Sequence, residues 1–307
     1  MNELYNEYSK YLKNKYGEKV YKLPINIPVT CPNRDGSLGV GGCTFCAEVG
    51  AGFEALENTL SVEEQLTQNM AYIKKKYKAT KFIAYFQNYT NTYLQLEKFK
   101  EYVNSTAIDD IVEVSISTRP DCVSNEYLDF LSEFSKRTNI NISIELGLQT
   151  VNYHTLKIIN RGHTLAEFID AVLRIKRYNF EVCAHLILNL PYDNMDDVVE
   201  TAKILSVLKV DQVKLHSLYV IENTVMGTLY EKGELKLLSK DDYIERVITF
   251  LEYLDKAIVV QRLIGRAPKE NSLFVNWGTS WWKIKEEIEN EMMNRKTYQG
   301  AKAKKFY

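Results

Sequence analysis

The sequence predicts an α/β fold, a partial (β/α)6 TIM-type barrel of the kind that carries a C-terminal helical extension. Short apolar runs rich in β-formers alternate with amphipathic helical stretches over most of the chain, the pattern of a parallel sheet covered by helices. Successive strand starts in the middle of the chain fall roughly thirty to forty residues apart, about one βα unit each. With 307 residues the chain can bury a large core, and neither a sequence repeat nor a long linker divides it.

Taken in order, residues 1–19 form an N-terminal helical segment, 20–270 the barrel core, and 271–307 a C-terminal helix with a basic tail. The candidate strands are YKLPINIPV, KFIAYFQ, DIVEVSIST, INISIELGL, FEVCAHLILNL, DQVKLHSLYV and AIVVQRLIG. Between them, SVEEQLTQNMAYIKKKYK opens on Ser61 with Glu64 three residues on, a capping box. YLQLEKFKEYVNS, SNEYLDFLSEFSKR, LAEFIDAVLRIKRYN, DDVVETAKILSVLK and SKDDYIERVITFLEYLDK supply the other covering helices. The last helix, WWKIKEEIENEMMNRK, packs against the barrel or closes one end. Barrels of this kind keep their chemistry at the C-terminal ends of the strands, so residues there come first.

Hydrophobic residues at 45% and charged residues at 26% belong to an ordinary soluble globular protein and exclude a disordered, collagen-like or disulfide-built chain. The polar start MNELYNEYSKYLKNKYGEKV has no signal-peptide core, and no run reaches the ~18 apolar residues of a membrane span. The expectation is a cytoplasmic protein with reduced thiols, where clustered cysteines favour metal over disulfide. A net charge of −1 carries no polyanion signature. The final stretch NRKTYQGAKAKKFY nonetheless holds Arg295, Lys296, Lys302, Lys304 and Lys305 without an acid. A frayed, solvated tail is the plainer reading, an RNA-contacting tail the sharper one.

Three of the five cysteines sit in CPNRDGSLGVGGCTFC, at Cys31, Cys43 and Cys46. The loop follows the first strand, and Gly36, Gly39, Gly41 and Gly42 lie inside it. Glycines let a loop fold back tightly and aim amide N–H groups at negative charge on sulfur. A structural zinc site normally takes four protein ligands, whereas a [4Fe–4S] cluster on three cysteines keeps one iron open for a substrate. The spacing fits either a cluster or a zinc ion completed by His154 or His163. Elsewhere, STRPD places Thr118 and Arg119 at the end of the third strand, where a guanidinium can clamp a carboxylate. Glu145 lies in the apolar run ELGLQT and needs a partner. Lys214 and His216 share one face of QVKLHSLYV, and with Arg262 they line a substrate pocket if that face points inward. Cys122 is a candidate hydrogen-atom donor or acceptor, although an inert buried thiol is the simpler reading, and Cys183 reads as core.

CTFC resembles the C-x-aromatic-C end of the cluster loop in radical S-adenosylmethionine enzymes, with a longer first spacing than their commonest form. The strings CPNRDG, GGCTFC, YFQNYTNTY, STRPDC, ELGLQT and RGHT resemble the YhcC/YtqA-type branch, relatives of the Elongator catalytic subunit. That resemblance implies one [4Fe–4S] cluster on Cys31, Cys43 and Cys46, with S-adenosylmethionine bound at the open iron and cleaved to a 5′-deoxyadenosyl radical. It places Phe45 against the adenine, Gln87 and Asn88 near the methionine amino group, Gln149 at the ribose and Arg161 at the methionine carboxylate. His185 falls where several relatives contact the cofactor, and Thr118, Arg119 and Glu145 join this cofactor-binding set. The implied partners are tRNA and a reducing donor such as flavodoxin or ferredoxin. The implied reaction converts 5-carboxymethylaminomethyl-uridine at the wobble position to 5-aminomethyl-uridine. A radical enzyme acting on a small metabolite or peptide, and a zinc-stabilised RNA-binding protein without catalysis, are the alternatives.

Overall fold

The computed structural model describes residues 3–46, 55–266 and 271–303. Helix α1 (Tyr8–Tyr16) precedes strand β1 (Val20–Ile25), after which come α2 (Val62–Tyr77), β2 (Lys81–Phe86) and α3 (Leu96–Asn104). The middle holds β3 (Ile111–Thr118), α4 (Asn125–Thr138), β4 (Asn141–Gln149), α5 (Tyr153–Ile158), α6 (Leu165–Arg177) and β5 (Glu181–Ile187). Then follow α7 (Met195–Val207), β6 (Gln212–His216), β7 (Val220–Ile221), α8 (Val225–Glu231) and α9 (Lys240–Tyr253). The chain finishes with β8 (Val259–Arg262), β9 (Ser272–Phe274) and α10 (Trp281–Asn294).

Seven parallel strands form one sheet in the order β1-β2-β3-β4-β5-β6-β8. Helical crossovers link each strand to its neighbour, so six βα units are completed by a seventh strand. The two edge strands meet inside: Lys22 of β1 donates to Gln261 of β8 at 3.2 Å. A flat sheet would hold those edges far apart, so this contact defines a curled half-barrel. The expected run DQVKLHSLYV divides into β6 and β7, the latter pairing with β9 in a separate antiparallel ribbon.

Strand alternation sorts the two faces. On β4, Ile142, Ile144, Leu146 and Leu148 are buried under the helices, while the alternate residues Ser143, Glu145, Gly147 and Gln149 line the concave side. Facing them from outside are Leu66, Phe99, Leu131, Phe134, Phe168 and Val172, all buried in one continuous core. Each such side chain contributes about 2 kcal/mol by leaving water. Helix starts are fixed locally, with capping boxes at Ser61/Glu64, Thr164/Glu167, Asn194/Asp197 and Ser239/Asp242.

The N-terminal end of the half-barrel is plugged by α1. Lys15 pairs with Glu181 at 2.6 Å and Glu113 at 3.2 Å, Tyr16 donates to Glu113 at 2.6 Å, and Tyr11 donates to Glu181. Helix α10 packs on α9. Beyond it the chain is docked, not frayed, as far as residue 303. Gln299 accepts from the Asn6 backbone N–H at 2.9 Å and donates to the carbonyls of Asp255 and Ile258 at 2.7 and 2.8 Å. Lys302 pairs with Glu252 and Arg295 with Glu245; Lys296 is exposed, and Lys304 and Lys305 lie outside the described residues. Among the described residues no helix is long and apolar enough to cross a membrane.

Candidate functional site

The cysteine loop sits over the C-terminal end of the sheet, folded back on itself by its own backbone. The N–H groups of Arg34 and Asp35 donate to the Cys31 carbonyl at 2.8 and 3.3 Å, that of Gly42 to Asn33 at 2.8 Å, and that of Cys46 to Cys43 at 2.9 Å. Gly42 has φ +83°, and a β-carbon there would meet the Arg34 side chain at 2.9 Å, so both its dihedral and its space require glycine. The loop is stitched to the turn after α5: Thr44 N–H donates to Ile159 at 3.0 Å, Asn160 Nδ2 to Gly42 at 2.8 Å, and Asn33 Nδ2 to Asn160.

That stitching brings two guanidinium groups under the thiols. Arg161 Nη1 lies 3.6 Å from Cys43 Sγ, Asn33 Nδ2 3.8 Å from the same sulfur, and Arg119 Nη1 4.0 Å from Cys31 Sγ. Arg161 is held by the Gly147 carbonyl through Nε and Nη2 at 3.2 and 2.7 Å. Gly147 has to lack a side chain, since a β-carbon would stand 2.7 Å from Arg161 Nη2. Arg119 is fixed by a bidentate pair with Asp121 at 2.9 and 2.7 Å and by the Arg161 carbonyl at 2.8 Å. Burial, then the neighbouring Cys43 and Cys31 sulfurs, pushes the Cys46 thiol up to about 11.

The donor set discriminates between a cluster and a zinc ion. Tetrahedral zinc with bonds of ~2.3 Å needs sulfurs roughly 3.8 Å apart. Among the described residues, the group of three ligand atoms lying within 4.8 Å of one another is Glu145, Cys183 and His185; the three loop sulfurs are spread more widely. His163 lies on the carbonyls of Gly147 at 3.0 Å and Thr164 at 3.2 Å, and burial followed by Arg161 holds it down to about 3. His154 is exposed. Neither imidazole completes a zinc site, and three thiols that do not all lie within 4.8 Å of one another and are flanked by N–H donors fit a larger, negatively charged iron–sulfur centre.

Below this rim the barrel interior is polar. Glu145 accepts from Lys22, from Lys214 at 2.9 Å, from Gln261 at 3.1 Å, and pairs with His185 at 2.6 Å. Burial alone would raise its carboxyl; Lys214, Lys22 and His185 overcome that and hold it well below the usual carboxylate range. Lys214 also donates to Tyr85 at 2.8 Å and lies over its ring. Burial pushes His185 down to about 4, with Lys214 acting in the same sense. His216 faces Arg262 Nη2 at 2.7 Å from Nδ1 and is held well below its ordinary value by burial and then by that guanidinium.

Phe45 is partly buried against an apolar cluster that includes Leu156, Ile159, Ile187 and Leu190. Gln87 directs its backbone N–H to Ile25. Asn88 is buried, donating to Asn26 at 2.8 Å and leaving its own Oδ1 without a partner. Gln149, at φ +77°, stands next to Gly147 and the Arg161 head. Thr118 bonds Thr92 at 2.6 Å. Cys122 is raised to about 12, by burial first and then by Asp121. Arg119, Arg161, Gln149 and the three cysteines are thus gathered at one rim, while Glu145, His185 and Lys214 form a deeper layer. Sequence reading missed Asn33, Lys22, Tyr85, Asp121 and Gln261. Alternation along YKLPI and VVQRL carried the signal for Lys22 and Gln261.

A parallel half-barrel with three thiols over the C-terminal strand ends defines an iron–sulfur enzyme class, and comparison with known proteins agrees. Residues 25–205 match the Radical SAM superfamily and residues 210–294 the Radical SAM C-terminal domain. The chain belongs to the radical S-adenosylmethionine superfamily, and its cofactors are the [4Fe–4S] cluster and S-adenosylmethionine of that family. Within it the chain is similar to YtqA of Bacillus subtilis, 37% identical over 96% of this chain and 92% of that one. A tRNA uridine(34) acetyltransferase of Methanocaldococcus jannaschii is 28% identical over 52% of this chain and 29% of its own length. The Methanocaldococcus infernus Elp3 structure superposes with a TM-score of 0.70 at 17% identity; the match covers 91% of this chain but 64% of that one.

Proposed function

We propose that the protein is a cytoplasmic tRNA-modifying enzyme that converts 5-carboxymethylaminomethyl-uridine at the wobble position to 5-aminomethyl-uridine. The observation that carries the enzymatic reading is the rim itself: three thiols and three side-chain N–H donors converge where such barrels do chemistry. The likeness to a tRNA uridine(34) acetyltransferase over half the chain supports a wobble uridine as the target. When bound, the cluster supplies the electron that cleaves the sulfonium of S-adenosylmethionine.

The chain's own residues do the rest. Cys31, Cys43 and Cys46 hold the cluster, the guanidinium groups of Arg119 and Arg161 offset sulfur charge, and Asn33 donates an N–H to it. Phe45, Gln87, Asn88, Thr118, Arg119, Glu145, Gln149, Arg161 and His185 form the set that receives the nucleoside and amino-acid parts of the cofactor, with Arg161 at the methionine carboxylate. Lys214, His216 and Arg262 face the substrate, and Cys122 is the thiol available near the rim for hydrogen-atom exchange. Flavodoxin or ferredoxin supplies the reducing electron.

Two measurements test this. Anaerobic reconstitution should give an oxygen-sensitive brown protein that forms 5′-deoxyadenosine under reduction. Mass spectrometry of nucleosides from bulk tRNA should show 5-carboxymethylaminomethyl-uridine accumulating when the gene is deleted. An unchanged wobble-uridine profile overturns the tRNA assignment, and tight colourless zinc overturns the enzyme.

A further inference from the structure

The half-barrel interior carries more positive charge than it can neutralise. Register places Gly147, His185, Lys214 and Arg262 in one row across β4, β5, β6 and β8. Gly147 anchors Arg161 beneath the cysteines, and three interstrand steps of ~4.8 Å set Arg262 roughly 14 Å from that end. Beneath this row Glu113 and Glu181 are paired with Lys15, and on it Lys22 and Lys214 share Glu145, so Arg262 is left without a carboxylate of its own among the described residues. Glu145 is occupied by the two lysines and His185. Arg262 reaches the Leu215 carbonyl at 3.3 Å and the imidazole of His216, and no carboxylate among the described residues pairs with it.

A half-buried guanidinium without a counter-ion is costly. Lys214 bears the trace of that excess. Burial first, then Lys22 and Arg262, bring it down to about 8 in spite of Glu145. S-adenosylmethionine cannot restore the balance, since its sulfonium and ammonium outnumber its one carboxylate. The anionic cluster lies at the far rim with Arg119 and Arg161, which leaves the substrate to bring negative charge to the β6–β8 side.

We infer that Arg262, presented by His216 and backed by Lys214, receives a carboxylate carried on the substrate's reacting base. The inference rests on the tRNA reading above and deepens it by naming the group that selects the substrate. Arg is the residue suited to this, because its fork meets both carboxylate oxygens at once. A charge-assisted pair of this kind is worth about 10- to 100-fold in affinity.

The test compares wild type, Arg262→Gln and Arg262→Lys as reconstituted holoenzymes. Each is assayed on tRNA bearing 5-carboxymethylaminomethyl-uridine, and binding is also measured for the same tRNA bearing 5-methylaminomethyl-uridine, which lacks the carboxylate. Arg262→Gln is expected to raise KM for the carboxylated tRNA about 10- to 100-fold, to leave binding of the other tRNA and of S-adenosylmethionine within about threefold, and to be partly rescued by Arg262→Lys. Equal weakening of both tRNAs assigns the anion to backbone phosphate and overturns the inference. A tenfold weaker S-adenosylmethionine affinity assigns it to the methionine carboxylate and does the same. A separate arm uses small probes: N-methylglycine, but not dimethylamine, should raise the Tm of wild-type holoenzyme and not that of Arg262→Gln. If that contrast holds while no tRNA is turned over, the tRNA reading fails and the carboxylate site stands. If carboxylated tRNA is turned over with an unchanged KM in Arg262→Gln, the carboxylate site fails and the tRNA reading stands.

Discussion

Replacing Glu145 by glutamine removes the only carboxylate among the described residues that pairs with Lys22 and Lys214, while keeping the shape of the side chain. Breaking a buried ion pair from one side costs about 3–5 kcal/mol. Lys214 softens that cost, because at about 8 its proton is held less tightly than an ordinary lysine's and is shed once Glu145 no longer supports the charge. The expected loss at pH 7 is therefore about 3 kcal/mol, a fall in Tm of roughly 5 °C for a chain of this size. The sign with pH is specific. A lysine whose folded value lies below its unfolded one holds fewer protons folded than unfolded, so stability rises with pH between the two values. In the variant that window opens lower, and raising the pH from 7 to 9 should recover more stability than in wild type. Urea unfolding followed by circular dichroism at both pH values, on wild type, Glu145→Gln and Glu145→Gln/Lys214→Met, measures all three effects. The double variant should regain more than half the loss. A Glu145→Gln protein within about 1 kcal/mol of wild type, or a loss that neither pH 9 nor the second substitution reduces, refutes the account of the interior as one coupled ionic network.

Alanine at Cys31, Cys43 or Cys46 should abolish the brown absorbance and iron content after reconstitution while leaving the far-ultraviolet spectrum unchanged, whereas Cys183→Ala should keep its iron. Gly162→Ala should cost about 1–3 kcal/mol, because φ is +76° and the new β-carbon would stand 2.9 Å from Asn33 Oδ1 and 3.2 Å from Arg119; cluster occupancy should fall with it. Between about 6.5 and about 4 the folded state binds fewer protons at His185 than the unfolded chain does, so stability should drop by ~3 kcal/mol as pH falls through that window. Asp193, raised to about 6 chiefly by burial, works in the opposite sense, and His185→Gln should flatten the acid limb measured by urea titration.

The barrel was legible because its signals are local. Ser61 and Glu64 close a capping box wherever the rest of the chain lies, and the alternation in INISIELGL sends its isoleucines and leucines to the helices and Glu145 inward. The ribbon of β7 and β9 escaped because two or three residues show no period; the distant pairing of Val220 with Phe274 and of Ile221 with Ser272 defines it. The cysteines could be read from spacing and glycine content, since the loop that carries them is contiguous. Their surroundings could not. Asn33 lies in the same loop, but its role depends on Asn160 crossing from the α5 turn. That Arg119 is clamped by Asp121, and Lys22 aimed across the barrel at Glu145, are facts of curvature. Alternation names the face a residue occupies and leaves open what stands opposite.

Gln299 ties the two ends of the polypeptide to each other and to the turn before β8. The Val260 N–H donates to the Asn6 carbonyl at 2.8 Å, so β8 meets the first segment through backbone alone, and Gln299 adds a side-chain clasp over that contact. The rim beside β8 is therefore closed by two separable devices, a backbone bridge and an amide clasp, and removing the clasp leaves the bridge in place.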